Sequence, residues 1–369
     1  MQNNNKKICI VASSLGKGGA ELSSATLSFI LSNLGFEVHI VTVLPAIDYS
    51  YVGTLYNLGE LKQKNDSLMG RIQRLYKFKA YLKQHKFLCI IDNRTRIQAY
   101  RELIVSKYIY KNTPVVYVLH NYNSKKTFTP FKWLNIWLYK NEIMTAVSED
   151  AKLKFEKLFK LNNIRTIYNA FNFEAIETKA KATSKAELGF ERFILFYGRL
   201  DDEHKNLKLL LSAYKLSKLP EENIKLLILG DGPDDKTLVD YSKDLRIDVN
   251  VCFQGYTNNP YPYVKHALFV MLTSRYEGFP MIIPESLSLR TPVISVDCQS
   301  GPKEVIQNGY NGLLVENYNS KALAEAMNSF IFDTALYNQC KENTKQSVDK
   351  FSIENIAQDW LHLIEEIHE

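Results

Sequence analysis

Two carboxylates lie on either side of a glycine loop in the stretch YEGFPMIIPE, residues 276–285. Glu277 belongs to a predicted loop after a strand, and Glu285 to a helix predicted over 281–289. Pro284 fits the first turn of that helix, where no intrahelical N–H is lost. Free N–H groups of the loop and the helix start suit a diphosphate. A carboxylate on each side could then bind hydroxyls, two vicinal ones on a ribose and one on a sugar ring.

The same two carboxylates also have a purely structural interpretation. Glu277 could be a solvated loop residue, and Glu285 a first-turn acid that complements the helix dipole. The pair alone leaves both interpretations open, so the other strand-end loops must decide.

Two cations follow another predicted strand. Arg199 lies in a Gly-Arg-Leu sequence directly after the strand at 193–197, and Lys205 precedes a helix predicted over 206–216. Positive charge at the carboxyl end of a strand could neutralise a diphosphate leaving group where negative charge develops. The alternative is a solvated basic turn, because single arginines and lysines are usually exposed.

The first half of the chain contains a glycine loop and a histidine of interest. The loop LGKGGAE, residues 15–21, allows a ligand to approach the backbone of Gly18 and Gly19 closely. It is not a dinucleotide fingerprint, because Glu21 occupies the third glycine position, and it lacks the Gly-Lys-Ser/Thr of a P-loop. His120 ends a predicted strand and can face a ligand there. A plain tight turn and a satisfied structural histidine are the alternatives.

Short apolar runs separated by helix-length spacers carry these loops. Such continuous runs predict parallel sheets with helices on both faces, and ligands bind beyond the carboxyl ends of the strands. The predicted strands are 8–12, 38–44, 88–92, 115–120, 143–148 and 164–168, then 193–197, 225–230, 249–253, 268–273, 292–296 and 312–315. The chain is therefore expected to be α/β, with two doubly wound parallel-sheet units.

The length of 369 residues suggests two domains at about 150 residues per domain. We expect an N-terminal domain over 1–170 and a C-terminal domain over 171–351, with the join near 171–187. Residues 352–369 are expected to form an amphipathic helix that opens at a capping serine and could pack back on the N-terminal domain.

Composition indicates a globular protein of a reducing compartment. The chain is 46% hydrophobic and 23% charged, and its five cysteines lie far apart without a CxxC pair or a Cys/His cluster. This pattern argues against a disulfide framework or a zinc site and favours the cytosol. Lys6 and Lys7 before the apolar run 8–12 imitate a secretion signal, but the run ends in a glycine loop without a cleavage site. A buried strand accounts for it better, and no apolar stretch is as long as a membrane-spanning helix.

Charge is distributed unequally along the chain. Residues 1–170 carry a net charge of +14 and residues 171–369 one of −8. A basic half suits an anionic membrane surface, a phosphate-bearing substrate or nucleic acid. Nucleic acid is not favoured, because no recognised motif or stacking platform accompanies the basic residues.

A basic segment and a nearby aromatic cluster could contact a membrane. The basic segment contains Arg71, Arg74, Lys77, Lys79, Lys83 and Lys86. A solvated helix is its alternative, because helical spacing puts Lys79 and Lys83 on the side of Ile72. The aromatic cluster contains Phe128, Phe131, Trp133, Trp137 and Tyr139. These aromatic residues could insert at the interface, but core packing is the favoured expectation. We expect peripheral association with anionic lipid on the cytoplasmic face of the membrane.

Taken together, the loops resemble those of the retaining glycosyltransferases of family 4, of the bacterial surface-polysaccharide type. The resemblance spans nearly the whole chain and is strongest from 198 to 315. It is carried by GGAE at 18–21, His120, YNA at 168–170, GRL at 198–200 with Lys205, GDGP at 230–233, EGFP at 277–280 with Glu285, and GYNGLLV at 309–315. It implies the GT-B architecture, two Rossmann-like domains facing a central cleft, with the acceptor on the first domain and a nucleotide sugar on the second.

The resemblance also implies roles for single residues. It makes His120, Glu277, Arg199 and Lys205 the catalytic group. Donor binding falls to the backbone at Gly18 and Gly19, to the diphosphate-binding cations Arg199 and Lys205, to the sugar-binding residues Glu277, Gly278, Phe279, Pro280 and Met281, and to the ribose-binding Glu285. The donor is a substrate, expected to be UDP-linked, and no metal or other cofactor is implied. Residues 297–304 resemble members that transfer galactose-type or N-acetylhexosamine units.

The implied reaction moves a hexose or N-acetylhexosamine to a hydroxyl of a glycan or lipid-linked acceptor in cell-surface polysaccharide biosynthesis. Front-side attack with retained configuration is expected, because no motif carboxylate is an obvious nucleophile on the opposite face. Two positions depart from the family pattern, Asn206, where many relatives have glycine, and Pro284 beside Glu285. A nucleotide-sugar epimerase or a phosphorylase on the same fold is the alternative.

Overall fold

The computed structural model describes residues 6–64 and 66–367. The chain divides into two compact units, of which unit 1 comprises Met1–Ala170 with Ile353–Glu369, and unit 2 comprises Phe171–Ser352. The outer bounds of the expected domains, residues 1 and 369, lie outside the described residues.

The described strands form one parallel sheet in each unit. The sheet of unit 1 has the order β3-β2-β1-β4-β5-β6-β7, and that of unit 2 the order β10-β9-β8-β11-β12-β13. The strands are β1 (Lys7–Ala12), β2 (Glu37–Thr42), β3 (Thr54–Asn57), β4 (Cys89–Asp92), β5 (Val115–Leu119), β6 (Ile143–Ala146), β7 (Ile164–Thr166), β8 (Phe193–Tyr197), β9 (Lys225–Leu229), β10 (Val251–Gly255), β11 (Val270–Leu272), β12 (Val293–Val296) and β13 (Gly312–Val315). The strand order reverses between β1 and β4 and between β8 and β11, which is where such sheets bind ligands.

Helices connect the strands in both units. They are α1 (Gly19–Asn33), α2 (Leu58–Lys64), α3 (Leu68–His85), α4 (Ala99–Ile104), α5 (Ser124–Thr127), α6 (Lys132–Tyr139), α7 (Glu149–Phe159), α8 (Phe173–Ala180), α9 (Lys185–Leu188), α10 (Asp202–Lys205), α11 (Leu207–Leu216), α12 (Asp235–Asp244), α13 (Tyr261–His266), α14 (Ile282–Ser288), α15 (Pro302–Val305), α16 (Ser320–Phe332), α17 (Thr334–Asn343) and α18 (Ile353–Glu366). A π-helical turn, Val105–Ile109, extends α4, and a 3₁₀ helix, Gln346–Phe351, precedes α18.

The predicted fold class is confirmed, because the apolar runs are buried parallel strands. Every residue of β8 is buried, as expected of a strand covered by helices on both faces. One strand was missed: β3 is a half-exposed strand at the sheet edge and has no apolar run. The strand expected at 249–253 lies two residues later, and the one expected at 268–273 is shorter at both ends.

The C-terminal helix α18 belongs to unit 1. Its buried residues include Ile356 and Trp360, which line a small pocket together with Leu27 and Ile30 of α1. Near its end, Glu366 pairs with Arg165 of β7. This helix therefore completes the apolar cover of unit 1.

The aromatic cluster at 128–139 is divided between core and surface. Phe128 and Tyr139 are 2% and 0% exposed and pack in the core of unit 1, as expected. The same expectation is wrong for Phe131, Trp133 and Trp137, which are 50%, 68% and 56% exposed. Packing of α6 through its other face leaves these three side chains outside.

Within the described residues, none of the helices combines the length and the apolar character that crossing a bilayer requires.

Candidate active site

A buried ion pair joins the loops that follow β8 and β11 in unit 2. Lys205, the last residue of α10, lies 2.7 Å from Glu277, measured from Nζ to Oε1. Ser274 donates a hydrogen bond of 2.6 Å to the same oxygen. Burial raises the pKa of Glu277, but the charges of Lys205 and His204, together with the hydrogen bonds from Lys205 and Ser274, hold the pKa below its ordinary value. Glu277 therefore carries its negative charge at neutral pH.

Local hydrogen bonds between these two loops set the geometry of the pair. Asp201 caps α10 by accepting from the N–H of His204 at 3.2 Å. The ring of His204 bonds to the carbonyl of Tyr276 at 2.8 Å, and Thr273 donates its hydroxyl to the carbonyl of Lys205 at 2.9 Å. The ammonium group is thus placed by the backbone of both loops and not by the ion pair alone.

Asn206 shows how α10 ends. Its backbone has φ 52° and ψ 47°, in the left-handed region that glycine and asparagine adopt most readily. Glycine, the residue that the family resemblance implies at this position, meets the same conformational need. This departure from the family pattern therefore preserves the turn that places Lys205.

Glu285 is a second buried carboxyl in unit 2. It accepts hydrogen bonds from the hydroxyls of Tyr197 at 2.8 Å and Tyr261 at 3.3 Å. Tyr197 is the last residue of β8, so the carboxyl lies at the carboxyl end of that strand. Burial raises the pKa of Glu285 to about 7, against the opposing effect of the two tyrosine hydroxyls. A buried carboxyl that titrates near neutrality is typical of functional sites.

Burial excludes the solvated interpretation of Glu277, whereas Glu285 does lie in the first turn of α14, as its structural interpretation expects. Glu277 and Glu285 are 7% and 6% exposed. The residues between them are also enclosed, since 278–280 are buried and Met281 is half-buried. Ser300 fixes the loop by donating its hydroxyl to the carbonyl of Gly278 at 2.9 Å.

Close packing around Pro280 and Phe279 holds this loop in place. A Cβ atom at Gly301 would lie 2.3 Å from Cδ of Pro280, and Gly301 has a φ of 102°, so the position requires glycine. The ring of Phe279 packs edge-on against Phe351, with 5.2 Å between ring centroids. The backbone of 278–281 is therefore held at a defined place beside both carboxylates.

Arg199 is not drawn into these contacts. It is exposed, and within residues 6–64 and 66–367 its guanidinium group has no ion-pair partner. The backbone around it is fixed: a Cβ atom at Gly230 would lie 1.8 Å from the carbonyl oxygen of Gly198, and Leu200 donates its N–H to Asp231 at 2.9 Å. The structure thus brings Lys205 to Glu277 and leaves Arg199 free to meet a ligand.

The glycine loop of unit 1 contains a carboxylate. Gly18 has φ 149°, a backbone conformation that residues with a side chain rarely adopt, so the loop favours glycine at this position. Gly19 begins α1. Burial raises the pKa of Glu21, and no cation pairs with it in the described part of the chain. Glu21, the residue that breaks the dinucleotide fingerprint, is therefore a half-buried acid at the carboxyl end of β1.

His120 belongs to a hydrogen-bonded network at the carboxyl ends of β4 and β5. Its Nε2 lies 3.2 Å from Oδ1 of Asn93, whose Nδ2 donates to Ser24 at 2.9 Å. Ser24 in turn donates to the carbonyl of Ala20 at 2.8 Å. This order of donors assigns the ring proton to Nε2 and leaves Nδ1 as an acceptor. Burial, together with the charge of Arg96, lowers the pKa of His120 to about 3.

A small polar cavity of about 50 Å³ adjoins this network. Glu21, Asn93 and His120 line it together with side chains from the loops after β1, β4 and β5. It combines a carboxylate, an amide and a neutral imidazole, which are groups that recognise hydroxyls. Gly18 does not line this cavity.

Sequence reasoning missed the charged residues directly after β4. Arg94 is 5% exposed and bonds to Asp92 at 2.8 Å and to Glu102 at 3.3 Å. Arg96 is 1% exposed and donates to the carbonyls of Asp92, Arg94 and Val118 at 3.2, 2.9 and 2.6 Å. The signal was available, because the cluster DNRTR follows a buried strand at its carboxyl end.

We expect His120 to stay neutral throughout the physiological pH range. Its ring-carbon shifts in ¹³C-edited NMR spectra should be constant between pH 5 and 8, because its pKa is lowered to about 3. The variant His120→Gln identifies the resonance by its loss. A shift change centred near pH 6.5 would contradict this assignment and with it the hydrogen-bond order above.

Within the described residues, no group of three or more His, Cys, Asp or Glu side chains could hold a metal ion.

Similarity to known proteins identifies the class. Residues 179–347 match the sequence model of the family described as glycosyl transferases group 1. The chain is 29% identical to N-acetylgalactosamine-N,N'-diacetylbacillosaminyl-diphospho-undecaprenol 4-alpha-N-acetylgalactosaminyltransferase of Campylobacter jejuni, with 96% of this chain and 98% of the relative covered. It is 26% identical to GalNAc-alpha-(1->4)-GalNAc-alpha-(1->3)-diNAcBac-PP-undecaprenol alpha-1,4-N-acetyl-D-galactosaminyltransferase of the same organism, with 98% and 99% covered.

A solved structure shows the shared fold. Anabaena HepE in complex with UDP has a TM-score of 0.78 to this chain at 18% identity, covering 98% of this chain and 100% of that one. The protein is a glycosyltransferase with the GT-B fold. The match to group 1 falls within unit 2, the unit that contains Lys205, Glu277 and Glu285.

Proposed function

We propose that this protein is a retaining glycosyltransferase of family 4 that uses a UDP-sugar. It would transfer a hexose or N-acetylhexosamine to a hydroxyl of a glycan or lipid-linked acceptor in cell-surface polysaccharide biosynthesis. The observation that carries the proposal is the pair of buried carboxylates, Glu277 held by Lys205 and Glu285 held by two tyrosines, at the switch point of the unit 2 sheet. The names of the C. jejuni relatives, which specify undecaprenol-linked acceptors, support the acceptor class.

In unit 2, each residue is assigned a role by its charge and place. Lys205 and the unpaired Arg199 supply positive charge to the diphosphate as it leaves. Glu285 accepts hydrogen bonds from the ribose hydroxyls, and Glu277 accepts one from the donor sugar. The backbone of 278–281 contacts the same sugar. No metal is needed in this proposal, because the two cations supply the charge that a metal would otherwise provide.

In unit 1, the acceptor atoms of the polar cavity suit hydroxyls. Nδ1 of His120 accepts a hydrogen bond from a donor-sugar hydroxyl, and the backbone at Gly18 and Gly19 approaches the phosphates or the acceptor. Glu21 is assigned to a hydroxyl of the acceptor. Because His120 is neutral, it orients a substrate and does not protonate the leaving group.

The proposed chemistry is front-side displacement at the anomeric carbon. The bond from that carbon to the diphosphate oxygen breaks, and a bond to the acceptor oxygen forms on the same face. The departing phosphate takes the proton of the acceptor hydroxyl, so no protein base is required. Oxocarbenium character develops in between, and Lys205 stabilises the departing charge.

A panel of UDP-, GDP- and ADP-sugars tests the proposal. We expect UDP-sugars to give the largest thermal shift and the best of them to be slowly hydrolysed. Glu285→Gln should abolish the shift, whereas Glu174→Gln, which replaces an exposed first-turn acid of α8, should not. An inverted linkage in the NMR spectrum of the product would refute the retaining mechanism. Conversion of the UDP-sugar without an acceptor to its epimer, or a requirement for orthophosphate, would establish the epimerase or phosphorylase alternative, which no observation favours.

We further propose that the enzyme works on the cytoplasmic face of the membrane as a peripheral protein. A lipid-linked acceptor is confined to the bilayer surface, and the first half of the chain carries a net charge of +14.

A further inference from the structure

A band of exposed apolar side chains crosses three segments of unit 1. Within residues 6–64 and 66–367, twenty large apolar side chains are exposed, and eleven of them lie at 68–76, 100–108 and 131–137. We call these three segments together the aromatic band. Only five of the twenty lie in unit 2, where they are spread over separate elements. An exposed apolar surface of this kind usually marks an interaction site.

Contacts between lysines and aromatic rings join the segments of the aromatic band. Nζ of Lys79 in α3 lies 3.2 Å from the ring centroid of Tyr108, and Nζ of Lys107 lies 4.9 Å from that of Trp137 in α6. The three helical segments therefore form one surface in which ammonium groups alternate with aromatic rings.

Helix α6 leaves its aromatic face outside the core. Trp133 and Trp137 lie one turn apart on the same face and are 68% and 56% exposed. Leu134 and Leu138, on the other face, are 2% and 1% exposed in the core. Phe131 extends the exposed face, with 6.5 Å between its ring centroid and that of Trp133. Both faces of this helix are apolar, but unit 1 covers only one of them.

The charge of the aromatic band and its surroundings indicates which kind of partner it could bind. The longer segments 68–85, 99–109 and 124–140, which include the aromatic band and the residues next to it, contain eleven Lys or Arg residues and one acid, Glu102, which is buried against Arg94. Two acids at the border, Asp66 and Glu142, pair with Arg74 at 2.7 Å and with Lys107 at 3.9 Å. The surface is thus apolar, aromatic and strongly basic.

We propose that the aromatic band is the surface by which unit 1 docks on an anionic lipid bilayer. Trp133 and Trp137 lie at the headgroup level, where tryptophan is favoured, and the lysines extend to the lipid phosphates. A second copy of the chain fits less well, because a symmetric contact through this face would bring two sets of lysines together. The proposal names the surface for the peripheral association above and rests on that proposed function.

The test is binding to vesicles of three parts phosphatidylglycerol and seven parts phosphatidylcholine at low salt. We expect the double variant Trp133→Ala/Trp137→Ala to bind about tenfold more weakly or worse, because it removes both interfacial anchors. The matched control is Phe332→Ala, which removes an exposed ring of unit 2 that also lies beneath a lysine, Lys218. This control should bind like the unsubstituted protein.

Tryptophan fluorescence makes the assignment direct. The chain has three tryptophans, and the third, Trp360, is 6% exposed within α18. Brominated lipids should therefore quench the unsubstituted protein through Trp133 and Trp137 and leave the double variant unquenched. Persistent quenching in the double variant, or no binding by the unsubstituted protein, would overturn the proposal.

Two further measurements distinguish lipid docking from misfolding and from self-association. Turnover of a UDP-sugar with a water-soluble acceptor should be unchanged in the double variant. Loss of this turnover would indicate that the double variant is misfolded. In that case the variant Lys79→Gln/Lys107→Gln provides a second test of vesicle binding. A dimer in solution that the tryptophan substitutions dissociate would make a second copy the occupant and refute the lipid assignment. If vesicles bind but no UDP-sugar is turned over, docking stands and the proposed function fails.

Discussion

Replacement of Lys205 by methionine is expected to lower kcat for UDP-sugar turnover by about two to three orders of magnitude, the usual effect of removing one group that stabilises developing negative charge. Hydrogen bonds between the two loops hold the ammonium group in place, and methionine supplies no positive charge there. Measurement of kcat and KM separately checks this, because a loss confined to KM would mean that Lys205 only binds the ground state.

The same substitution should also destabilise the fold, because Glu277 is 7% exposed and would lose its charged partner. Breaking one side of a buried pair costs about 3–5 kcal/mol, whereas replacing both sides is often nearly neutral. We therefore expect Lys205→Met/Glu277→Gln to recover most of the Tm without recovering activity. Lys208→Met is the matched control, since the ammonium group of this lysine lies over the ring of Tyr241 and forms no ion pair within the described residues. Its backbone N–H, which donates to Asp202, is kept in the variant. Recovery of activity in the double variant would contradict the catalytic role.

The pH dependence of this pair has a definite sign. The pKa of Glu277 is lowered in the folded protein, so its stabilising contribution is present above the ordinary carboxyl pKa of 4.5 and is lost as the pH falls through the lowered value. Protonation of Glu277 should therefore contribute to the acid unfolding of the unsubstituted protein.

The parts of the site that are encoded locally could be predicted from the sequence. The bounds of β8 and β13 agree with the expected ones, because each strand is a continuous run in which apolar residues dominate. A parallel sheet then fixes which loops lie at its carboxyl edge. Lys205, Glu277 and Glu285 could be placed near one another on that ground alone.

The partners of these residues could not be predicted, because they come from distant parts of the chain. Tyr197 and Tyr261 reach Glu285 across 88 and 24 positions, and no spacing in the sequence encodes either contact. The bond between Asn93 and His120 depends in the same way on the order of β4 and β5 in the sheet. Sequence identifies the functional group, whereas the fold decides its protonation.

Helix α6 illustrates a second limit. Helical periodicity separates Trp133 and Trp137 from Leu134 and Leu138, but both sets are apolar. The period alone therefore cannot say which face is buried. The packing of α6 on the core of unit 1 decides this, and it leaves the aromatic face to the solvent.

The affinity for a UDP-sugar should rise with pH over the range in which Glu285 ionises. Its pKa in the folded protein is about 7, and ribose hydroxyls donate best to the ionised carboxylate. Binding should accordingly be about tenfold weaker at pH 6 than at pH 8. A nucleotide sugar is the right probe, because both of its phosphates are esterified and stay ionised over this range. Calorimetry at several pH values measures how the affinity depends on pH. Glu285→Gln should bind the UDP-sugar weakly, and its affinity should not show this pH dependence.

Stability without a ligand should change in the opposite direction over the same range. Because the pKa of Glu285 is raised by burial from 4.5 to about 7, the folded state holds a proton that the unfolded state has released. Stability from this group is therefore complete below pH 4.5 and is lost as the pH rises toward 7 and above. Glu285→Gln cannot ionise at this position, so its Tm should rise relative to that of the unsubstituted protein as the pH increases from 4.5 toward 7.

Tyr197→Phe distinguishes titration of Glu285 from a general effect of pH. The hydroxyl of Tyr197 donates to Glu285 at 2.8 Å and so favours the ionised form. Its removal should raise the pKa of Glu285 further and move both profiles, affinity and stability, to higher pH together. Tyr261→Phe should do the same to a smaller extent, because its bond is longer at 3.3 Å. Profiles that move apart, or that stay in place, would show that another group titrates in this range and that Glu285 does not recognise the ribose.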